Sequence, residues 1–321
     1  MKRAGIAVRL FAAAIVLACI AIGSYALAME PDAPVPVGHP DPAVWPDAAL
    51  TIANLGHATL LMNYLGVRVI SDPALFNRVG MAFDSMFTIG PRRVTPPPLA
   101  PAELRNLDVI LITHAHMDHL DIPSLKAMPR SATVIACGKC AALIAPLGFT
   151  DVRELKWGES TEVKGLTVRA MAARHWGKRW PPFGADYGFN SYVLEKDGVR
   201  MLLACDSAYT DIFSALKSDP PELAAFSIGA YDPWIWNHAN PEQVWTMFVQ
   251  TGARYLVPIH WGTFKLSKEP MDEPLARLIR AAGDQSNRIV LRQIGGTWRM
   301  PERATAGEAP APRAASSPAL R

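Results

Sequence analysis

The sequence predicts a single α/β domain with two strand-rich halves, each carrying helices on one outer face. Short apolar runs rich in β-branched residues alternate with helical segments along most of the chain. The chain has 321 residues, of which 50% are hydrophobic, so it can bury one large core. The same figures exclude a wholly disordered chain and a protein with several membrane spans.

The first half begins with three predicted strands. Runs at residues 50–55, 59–64 and 67–71 are separated by Gly56 and Gly66, as in an antiparallel meander. Residues 74–100 are rich in proline and predict a long irregular loop over one face. A buried strand at 108–113, a strand at 133–136 and a helix near 139–147 follow.

The second half repeats the alternation with longer helices. Strands are predicted at 166–171, 191–194 and 200–204, a helix at 209–217 and a strand at 224–229. Asn240 is a favourable N-cap, Pro241 suits the first helical position, and Gly252 ends the helix. A strand at 254–259 and a helix at 273–282 complete the domain, which we expect to cover residues 49–302.

The two ends of the chain differ from the domain in composition. Residues 1–28 combine three basic residues with a long uncharged stretch and a small-residue cleavage pattern, which predicts a signal peptide. An uncleaved membrane anchor and a lipoprotein signal using Cys19 are alternatives, and all three export the chain. We therefore expect a periplasmic protein or one anchored on the outer side of the inner membrane. Residues 29–48 predict a Pro-rich arm, and residues 303–321 predict a disordered tail.

The net charge of +3 comes entirely from Lys2, Arg3 and Arg9 in the signal segment. The basic and acidic residues of the remaining chain balance, and no basic stripe or recognition motif is present. The sequence therefore predicts no nucleic acid partner.

A dense cluster of metal-binding residue types follows the predicted strand at 108–113. His114 and His116 point to the same side of an extended chain, because side chains alternate there with period two. Asp118 and His119 come after a turn and can reach a second point nearby. Imidazole and carboxylate ligands suit Zn²⁺. The segment therefore predicts a metal site with room for two ions.

This His-x-His-x-Asp-His pattern resembles the signature of the metallo-β-lactamase superfamily. The resemblance implies a four-layer αββα sandwich with two Zn²⁺ ions per chain. Three more ligands would follow predicted strands: His175, Asp206 and His260. The superfamily pattern implies one metal held by His114, His116 and His175, and another held by Asp118, His119 and His260, with Asp206 bridging both.

Further segments are similar to one branch of that superfamily, the N-acyl-phosphatidylethanolamine-hydrolysing phospholipase D enzymes. They are residues 54–59, 90–93, 175–179, 228–234 and 260–264. This resemblance implies hydrolysis of N-acyl-phosphatidylethanolamine to phosphatidic acid and an N-acylethanolamine, a phospholipid substrate, and peripheral contact with a membrane. The chain is also compatible with a homodimer. It departs from the branch at Trp234–Trp236, where an Arg is typical, so we expect its headgroup or acyl preference to differ from that of the branch.

Several other residues are candidates for roles near the metals. Asp118 could also orient the attacking water. The resemblance implies that His238 contacts the phosphate or protonates the leaving group. His57 could support the site or lie in the core, and Asp72 could hydrogen-bond the metal loop or only form a turn. Trp176 and Trp234 could contact substrate or simply pack.

The irregular segment 74–100 contains apolar and basic residues that suit a lipid. Met81, Phe83, Met86 and Phe87 predict an apolar lip for acyl chains. Arg92, Arg93, Lys178 and Arg179 could approach a headgroup, although scattered surface charge is the favoured interpretation of any single one of them.

Two alternative functions keep the same residues. One is a lactonase or another metal-dependent hydrolase of this fold, because an activated water can attack carbonyl carbon as well as phosphorus. The other is a non-catalytic lipid-binding protein in which the metal only stabilises the fold. The complete set of ligands favours an enzyme.

Overall fold

The computed structural model describes residues 38–83, 87–104, 106–180 and 183–302. The predicted signal segment 1–28, the predicted tail 303–321 and Met86 lie outside the described residues. The described end of the Pro-rich arm lies against the domain, where the backbone N–H of Gly38 donates to Ile294 O over 3.1 Å. Among the described residues, no helix is both long and apolar enough to span a bilayer.

The first sheet has seven strands in the order β17-β1-β2-β3-β6-β7-β8. Its strands are β1 (Leu50–Asn54), β2 (Leu60–Tyr64), β3 (Val67–Ser71), β6 (Val109–Ile112), β7 (Thr133–Cys137), β8 (Asp151–Leu155) and β17 (Thr297–Arg299). Strands β1 to β3 form the predicted antiparallel meander, and β3, β6, β7 and β8 run parallel. The carboxyl ends of the parallel strands therefore meet at one edge of the sheet.

The second sheet has six strands in the order β16-β15-β14-β13-β10-β9. Its strands are β9 (Ser160–Val163), β10 (Leu166–Met171), β13 (Ser191–Lys196), β14 (Val199–Cys205), β15 (Leu223–Ser227) and β16 (Tyr255–Ile259). Strands β14, β15 and β16 are parallel, so their carboxyl ends also share an edge. Two small antiparallel sheets complete the strands: β4 (Met81–Phe83) with β5 (Phe87–Ile89), and β11 (Lys178–Trp180) with β12 (Phe183–Asp186).

In the described part of the chain, four α-helices cover the outer faces of the two sheets. They are α1 (Ile122–Ala127), α2 (Ala141–Ile144), α3 (Pro241–Thr251) and α4 (Glu273–Ala282). Leu125 and Ile144 pack on the first sheet, whereas Phe248 and Leu278 pack on the second. The layers are therefore helix, sheet, sheet and helix, which confirms the predicted αββα sandwich.

The central core lies between the two sheets. Strands such as β1 are buried on both faces, with Ile52 in the central core and Ala53 under the helices. Their sequences are therefore largely apolar runs rather than alternating patterns. Two buried tyrosines join the sheets: the hydroxyl of Tyr64 donates to Leu194 O over 3.0 Å, and that of Tyr192 donates to Ile112 O over 2.9 Å. These bonds fix the relative position of the two sheets.

Several local predictions differ from the structure. The segment 74–100 is not irregular throughout, since it contains β4 and β5. The helix predicted at 209–217 is a 3₁₀ helix at Ile212–Ser218, and the helix near 139–147 divides into α2 and a 3₁₀ turn at Ala145–Leu147. A proline at position 146 explains that division, because proline cannot continue the hydrogen-bonding pattern of the helix. The helix from Pro241 is confirmed, with Asn240 and Gln243 forming a reciprocal capping box.

Candidate metal centre

The facing edges of the two sheets bring together every predicted ligand. The chain after β6 carries His114, His116, Asp118 and His119, and the chain after β10 carries His175. Asp206 follows β14 directly, and His260 follows β16 directly. Of the eight histidines in the sequence, all but His39 lie in this cluster.

His114, His116 and His175 form one compact set. The Nε2 atom of His114 lies 2.8 Å from His116 Nδ1, and His175 Nε2 lies 3.3 Å from both atoms. In a tetrahedral zinc site with metal–nitrogen distances near 2.1 Å, neighbouring ligands lie about 3.4 Å apart. Burial lowers the pKa of His116 to about 4 and that of His175 to about 3, so both rings are neutral near pH 7 and each keeps one nitrogen lone pair for a cation. Such an arrangement suits a shared cation.

Asp118, His119 and His260 form a second set beside the first. Asp118 Oδ2 lies 3.6 Å from His119 Nε2 and 3.5 Å from His260 Nε2. Both of these nitrogens are buried, and neither has a hydrogen-bond partner among the described residues. An orphaned buried polar atom is costly, so this set also fits a metal ion.

Asp206 lies between the two sets. Its Oδ2 atom is 3.8 Å from His114 Nε2 and 3.9 Å from His175 Nε2 on one side. The same atom is 3.1 Å from His119 Nε2 and 3.2 Å from His260 Nε2 on the other side. One carboxylate oxygen is therefore placed to contact ions in both sets.

The carboxylates also control the protonation of the second set. Burial alone would lower the pKa of His260, but the charges of Asp206 and Asp118 raise it to about 9. Burial would raise the pKa of Asp206, but His260, His119 and His238 hold it well below its usual range. Without metal, protons therefore occupy positions that cations would take.

Outer hydrogen bonds orient three of the ligand rings. His119 Nδ1 lies 2.9 Å from Asp72 Oδ2, His175 Nδ1 lies 3.0 Å from Asn237 O, and His114 Nδ1 lies 3.0 Å from Thr113 Oγ1. Such partners fix the tautomer that leaves Nε2 free for a metal. Asp72 thus contacts a ligand ring directly, in addition to standing at a turn.

His57 contacts one predicted ligand directly and lies against the ring of another. Its Nε2 atom lies 2.8 Å from Asp118 Oδ2, and its ring centroid lies 4.0 Å from that of His260. Burial and the neighbouring His260 lower its pKa to about 3, so the ring is neutral and can donate one N–H to Asp118. His57 is therefore placed to orient Asp118.

A tight backbone turn positions His57. Gly56 has φ +96°, and a Cβ atom there would lie 2.4 Å from Arg93 Nη2. Arg93 is buried and donates to the carbonyls of Leu55, Ala74 and Thr95. Both predictions for Arg93, headgroup contact and scattered surface charge, are wrong, because these bonds hold it inside the fold, where it connects loops.

His238 and Trp176 lie beside the first set. His238 Nδ1 is buried, 3.9 Å from Asp206 Oδ2, and has no hydrogen-bond partner among the described residues. Trp176 stacks on His175 with ring centroids 4.6 Å apart, and its buried Nε1 also has no partner in the described part of the chain. Trp234 is 46% exposed and stands on the turn that leads to His238.

Sequence reasoning missed two supporting residues. Thr113 donates from Oγ1 to Asp72 Oδ2 over 2.6 Å, and the thiol of Cys205 donates to the same oxygen over 3.1 Å. Cys205 reads from sequence as an ordinary core residue of an apolar strand. Its φ of +52° gives no local sequence signal, because the left-handed region usually favours glycine.

Comparisons with known proteins agree with this geometry. A family model described as "Beta-lactamase superfamily domain" matches residues 80–261. An N-acyl-phosphatidylethanolamine-hydrolyzing phospholipase D 1 from Caenorhabditis elegans is 30% identical over 273 residues, covering 78% of this chain and 75% of that protein. An uncharacterised protein from Mycobacterium tuberculosis is 33% identical over 266 residues, covering 79% of this chain and 70% of that protein.

A solved structure supports the fold independently. The crystal structure of a possible metal-dependent hydrolase from Veillonella parvula superposes with a TM-score of 0.64 at 19% identity, covering 78% of this chain and 99% of that chain. At this identity the likeness concerns the fold alone. Together with the family model and the sequence relatives, it places the chain in the metallo-β-lactamase superfamily of metal-dependent hydrolases, where it resembles the N-acyl-phosphatidylethanolamine-hydrolysing phospholipase D branch.

Proposed function

We propose that the protein is a dinuclear zinc phosphodiesterase that cleaves N-acyl-phosphatidylethanolamine into phosphatidic acid and an N-acylethanolamine. The position of Asp206 Oδ2 carries the dinuclear part of this proposal, because it lies within 3.9 Å of ring nitrogens from both ligand sets. A carboxylate oxygen shared in this way favours two adjacent ions over one. When bound, such a pair supplies a water of lowered pKa and neutralises the charge of a phosphodiester.

The protein groups around the ions divide the remaining work. His114, His116 and His175 would hold one ion, and Asp118, His119 and His260 the other. Asp118 accepts from His57, so its second oxygen keeps a fixed direction for orienting a water or holding its proton.

His238 would contact the phosphoryl group. Burial lowers its pKa to about 3, so the ring is neutral near pH 7 and offers one N–H as a hydrogen-bond donor. This favours phosphate contact over protonation of the leaving group by a histidine that is already charged. Trp176 Nε1 is a second unpartnered donor near the same ring, with the two ring centroids 5.9 Å apart.

The substrate is inferred from similarity rather than from the metal ligands. The relatives from Caenorhabditis elegans and Saccharomyces cerevisiae carry the name of this hydrolase at 30% and 31% identity. Trp234 and Trp236 are exposed near His238, at the place where an Arg is typical of the branch, so headgroup preference is where we expect a difference.

A substrate panel tests the proposal. Purified protein loaded with zinc would be assayed on N-acyl-phosphatidylethanolamine, on the soluble diester bis-p-nitrophenyl phosphate, on a lactone and on nitrocefin. We expect turnover of both phosphodiesters, with two zinc ions per chain by elemental analysis. Activity on the lactone alone would replace the phosphodiesterase with the lactonase alternative.

The non-catalytic alternative requires a separate control. His119→Ala removes a ligand of the second set, so we expect loss of turnover with an unchanged circular dichroism spectrum. A wild-type protein that binds zinc and lipid but turns over none of the panel would support the lipid-binding alternative.

Export, membrane contact and a homodimer are further parts of the proposal. Fractionation of cells into periplasm and membranes, with mass analysis of the mature N-terminus, would test cleavage near residue 28. Light scattering of the purified protein would test the homodimer.

A further inference from the structure

The β4–β5 pair exposes its apolar face instead of burying it. Met81 pairs with Ile89, and Phe83 pairs with Phe87, so all four side chains point to the same side of the two strands. These four residues are 37–54% exposed, whereas Ala82 and Thr88 on the opposite face are less exposed. A two-stranded sheet with its apolar face in water is poorly stabilised by itself.

The apolar surface extends beyond these four residues. Phe76 is 40% exposed and Trp180 is 48% exposed, and each lines a cavity that the β4–β5 pair also lines. Half of the large hydrophobic side chains exposed in the described part of the chain belong to this group: Phe76, Met81, Phe83, Phe87, Ile89 and Trp180. Contiguous exposed apolar surface of this kind marks an interaction site.

Two cavities lie between the β4–β5 pair and its neighbours. The larger, about 660 Å³, is lined by Phe76, Phe87 and Thr88 together with Pro123 and Lys126 of α1. The smaller, about 250 Å³, shares Pro123 and Lys126 and reaches Met117, which stands between the ligands His116 and Asp118. The apolar face therefore adjoins the metal loop.

The charge of this region indicates the chemistry of the partner that it would bind. The cavity linings contain the cations Arg78, Lys126 and Arg179, and among the described residues neither lining contains a carboxylate. The basic and acidic residues of the chain after residue 28 balance, so this is a local excess of positive charge beside apolar side chains. Apolar residues next to cations match a phospholipid bilayer, where acyl chains lie beneath anionic phosphates.

We propose that the apolar face formed by Met81, Phe83, Phe87 and Ile89 docks on a phospholipid bilayer that carries anionic headgroups. The docked face would place the smaller cavity and Met117 against the lipid, so a phospholipid could reach the metal loop without crossing water. This rests on the proposed phospholipid substrate for its purpose, although the docking itself is measured separately. N-acylation removes the ammonium charge of phosphatidylethanolamine, so the proposed substrate is itself an anionic lipid.

Vesicle binding by surface variants tests the docking. Phe83→Ser combined with Phe87→Ser should weaken co-sedimentation with phosphatidylcholine vesicles containing phosphatidylglycerol by about tenfold or more. The matched control is Val44→Ser combined with Val249→Ser, which removes exposed apolar side chains elsewhere and should bind as wild type. Raising the salt concentration should weaken wild-type binding, because the basic groups contribute through charge.

Two further measurements separate this inference from the proposed function. The Phe83/Phe87 variant should hydrolyse bis-p-nitrophenyl phosphate at the wild-type rate, while its hydrolysis of N-acyl-phosphatidylethanolamine in vesicles falls with binding. Wild-type protein that binds vesicles but leaves this lipid intact would overturn the proposed substrate and leave the docking standing. Unchanged vesicle binding by the variant would overturn the docking, as would a wild-type dimer that the same substitutions convert to monomer.

Discussion

His238 is the histidine of the cluster whose contribution is easiest to isolate. It lies beside Asp206 but belongs to neither ligand set, so its removal should leave both ions in place. We expect His238→Ala to lower kcat about 10²-fold, the usual effect of losing one positioned donor, with full zinc content.

The matched control for that change is His39→Ala, which removes the one histidine outside the cluster. Its side chain is 69% exposed, so kcat should stay at the wild-type value. Wild-type turnover in His238→Ala itself would remove His238 from the mechanism.

His57 should affect metal binding more than it affects the fold. Its bond to Asp118 is an outer contact to a ligand, and losing such contacts typically costs about 10–100-fold in metal affinity. We therefore expect His57→Ala to release zinc earlier in a chelator competition, and His57→Gln to recover part of the affinity through its amide N–H. Equal affinity in all three proteins would show that the bond to Asp118 is not needed.

At the residue scale, the predicted metal ligands can be found from the sequence more readily than the residues that hydrogen-bond around them. His175, Asp206 and His260 follow apolar runs, and strand ends gather at one edge of a parallel sheet, so their meeting is foreseeable. Thr113 and Cys205 sit within or next to such runs and look like ordinary strand residues. Only the folded chain shows that both bond to Asp72.

The turn before His57 has a constrained geometry at Gly56. A methyl group at Gly56 would meet both an unfavourable φ of +96° and Arg93 Nη2 at 2.4 Å. Gly158 provides a matched control, because its φ is +89° and a Cβ atom there would have nothing within 4 Å. Gly158→Ala should cost about 1 kcal/mol of unfolding free energy from backbone strain alone.

We expect Gly56→Ala to cost at least about 2 kcal/mol, because the strain and the displaced Arg93 act together. Urea unfolding of the two variants against wild type measures the difference. Equal losses would show that Arg93 adjusts without cost.

At the scale of elements, the main error concerned segment 74–100. Its prolines correctly indicate a break in regular structure, but they fall after β5 and do not prevent the short pairing of β4 with β5. Three-residue strands carry too few positions for a period-two pattern to be recognised. The meander β1 to β3 was predictable because each strand is longer and Gly56 and Gly66 separate them.

Metal removal should destabilise the whole molecule. Ligand binding to the folded state alone raises the free energy of unfolding by about 2.7 kcal/mol when the free ligand is at a hundred times its Kd. Treatment with EDTA should therefore lower Tm by about 5 °C or more, with recovery on adding zinc. A Tm that does not respond to either would contradict a metal centre in this cluster.

The metal-free protein should lose stability in acid. The pKa values of His57, His175 and His238 are lowered to about 3 in the folded state, so these rings take up protons more readily when the chain unfolds. Their contribution is complete above pH 6.5 and is lost as pH falls toward 3, with up to about 2 kcal/mol per histidine lost between pH 7 and pH 5. His260, with a pKa raised to about 9, acts oppositely, since its contribution is present below 6.5 and is lost as pH rises through 9.

Urea unfolding in EDTA at pH 8, 7, 6 and 5 measures this dependence. The midpoint should fall steadily below pH 6.5. A constant midpoint down to pH 5 would mean that the buried rings are already protonated in the folded chain.

Each ligand set takes residues from both sheets. In one set, His114 and His116 follow β6 of the first sheet, and His175 follows β10 of the second. In the other set, Asp118 and His119 also follow β6, and His260 follows β16 of the second sheet. An ion in either set would therefore link the two sheets, and we expect its loss to make that edge of the sandwich more accessible to proteases. We expect the amount of intact protein in a cell to follow the supply of metal in its compartment.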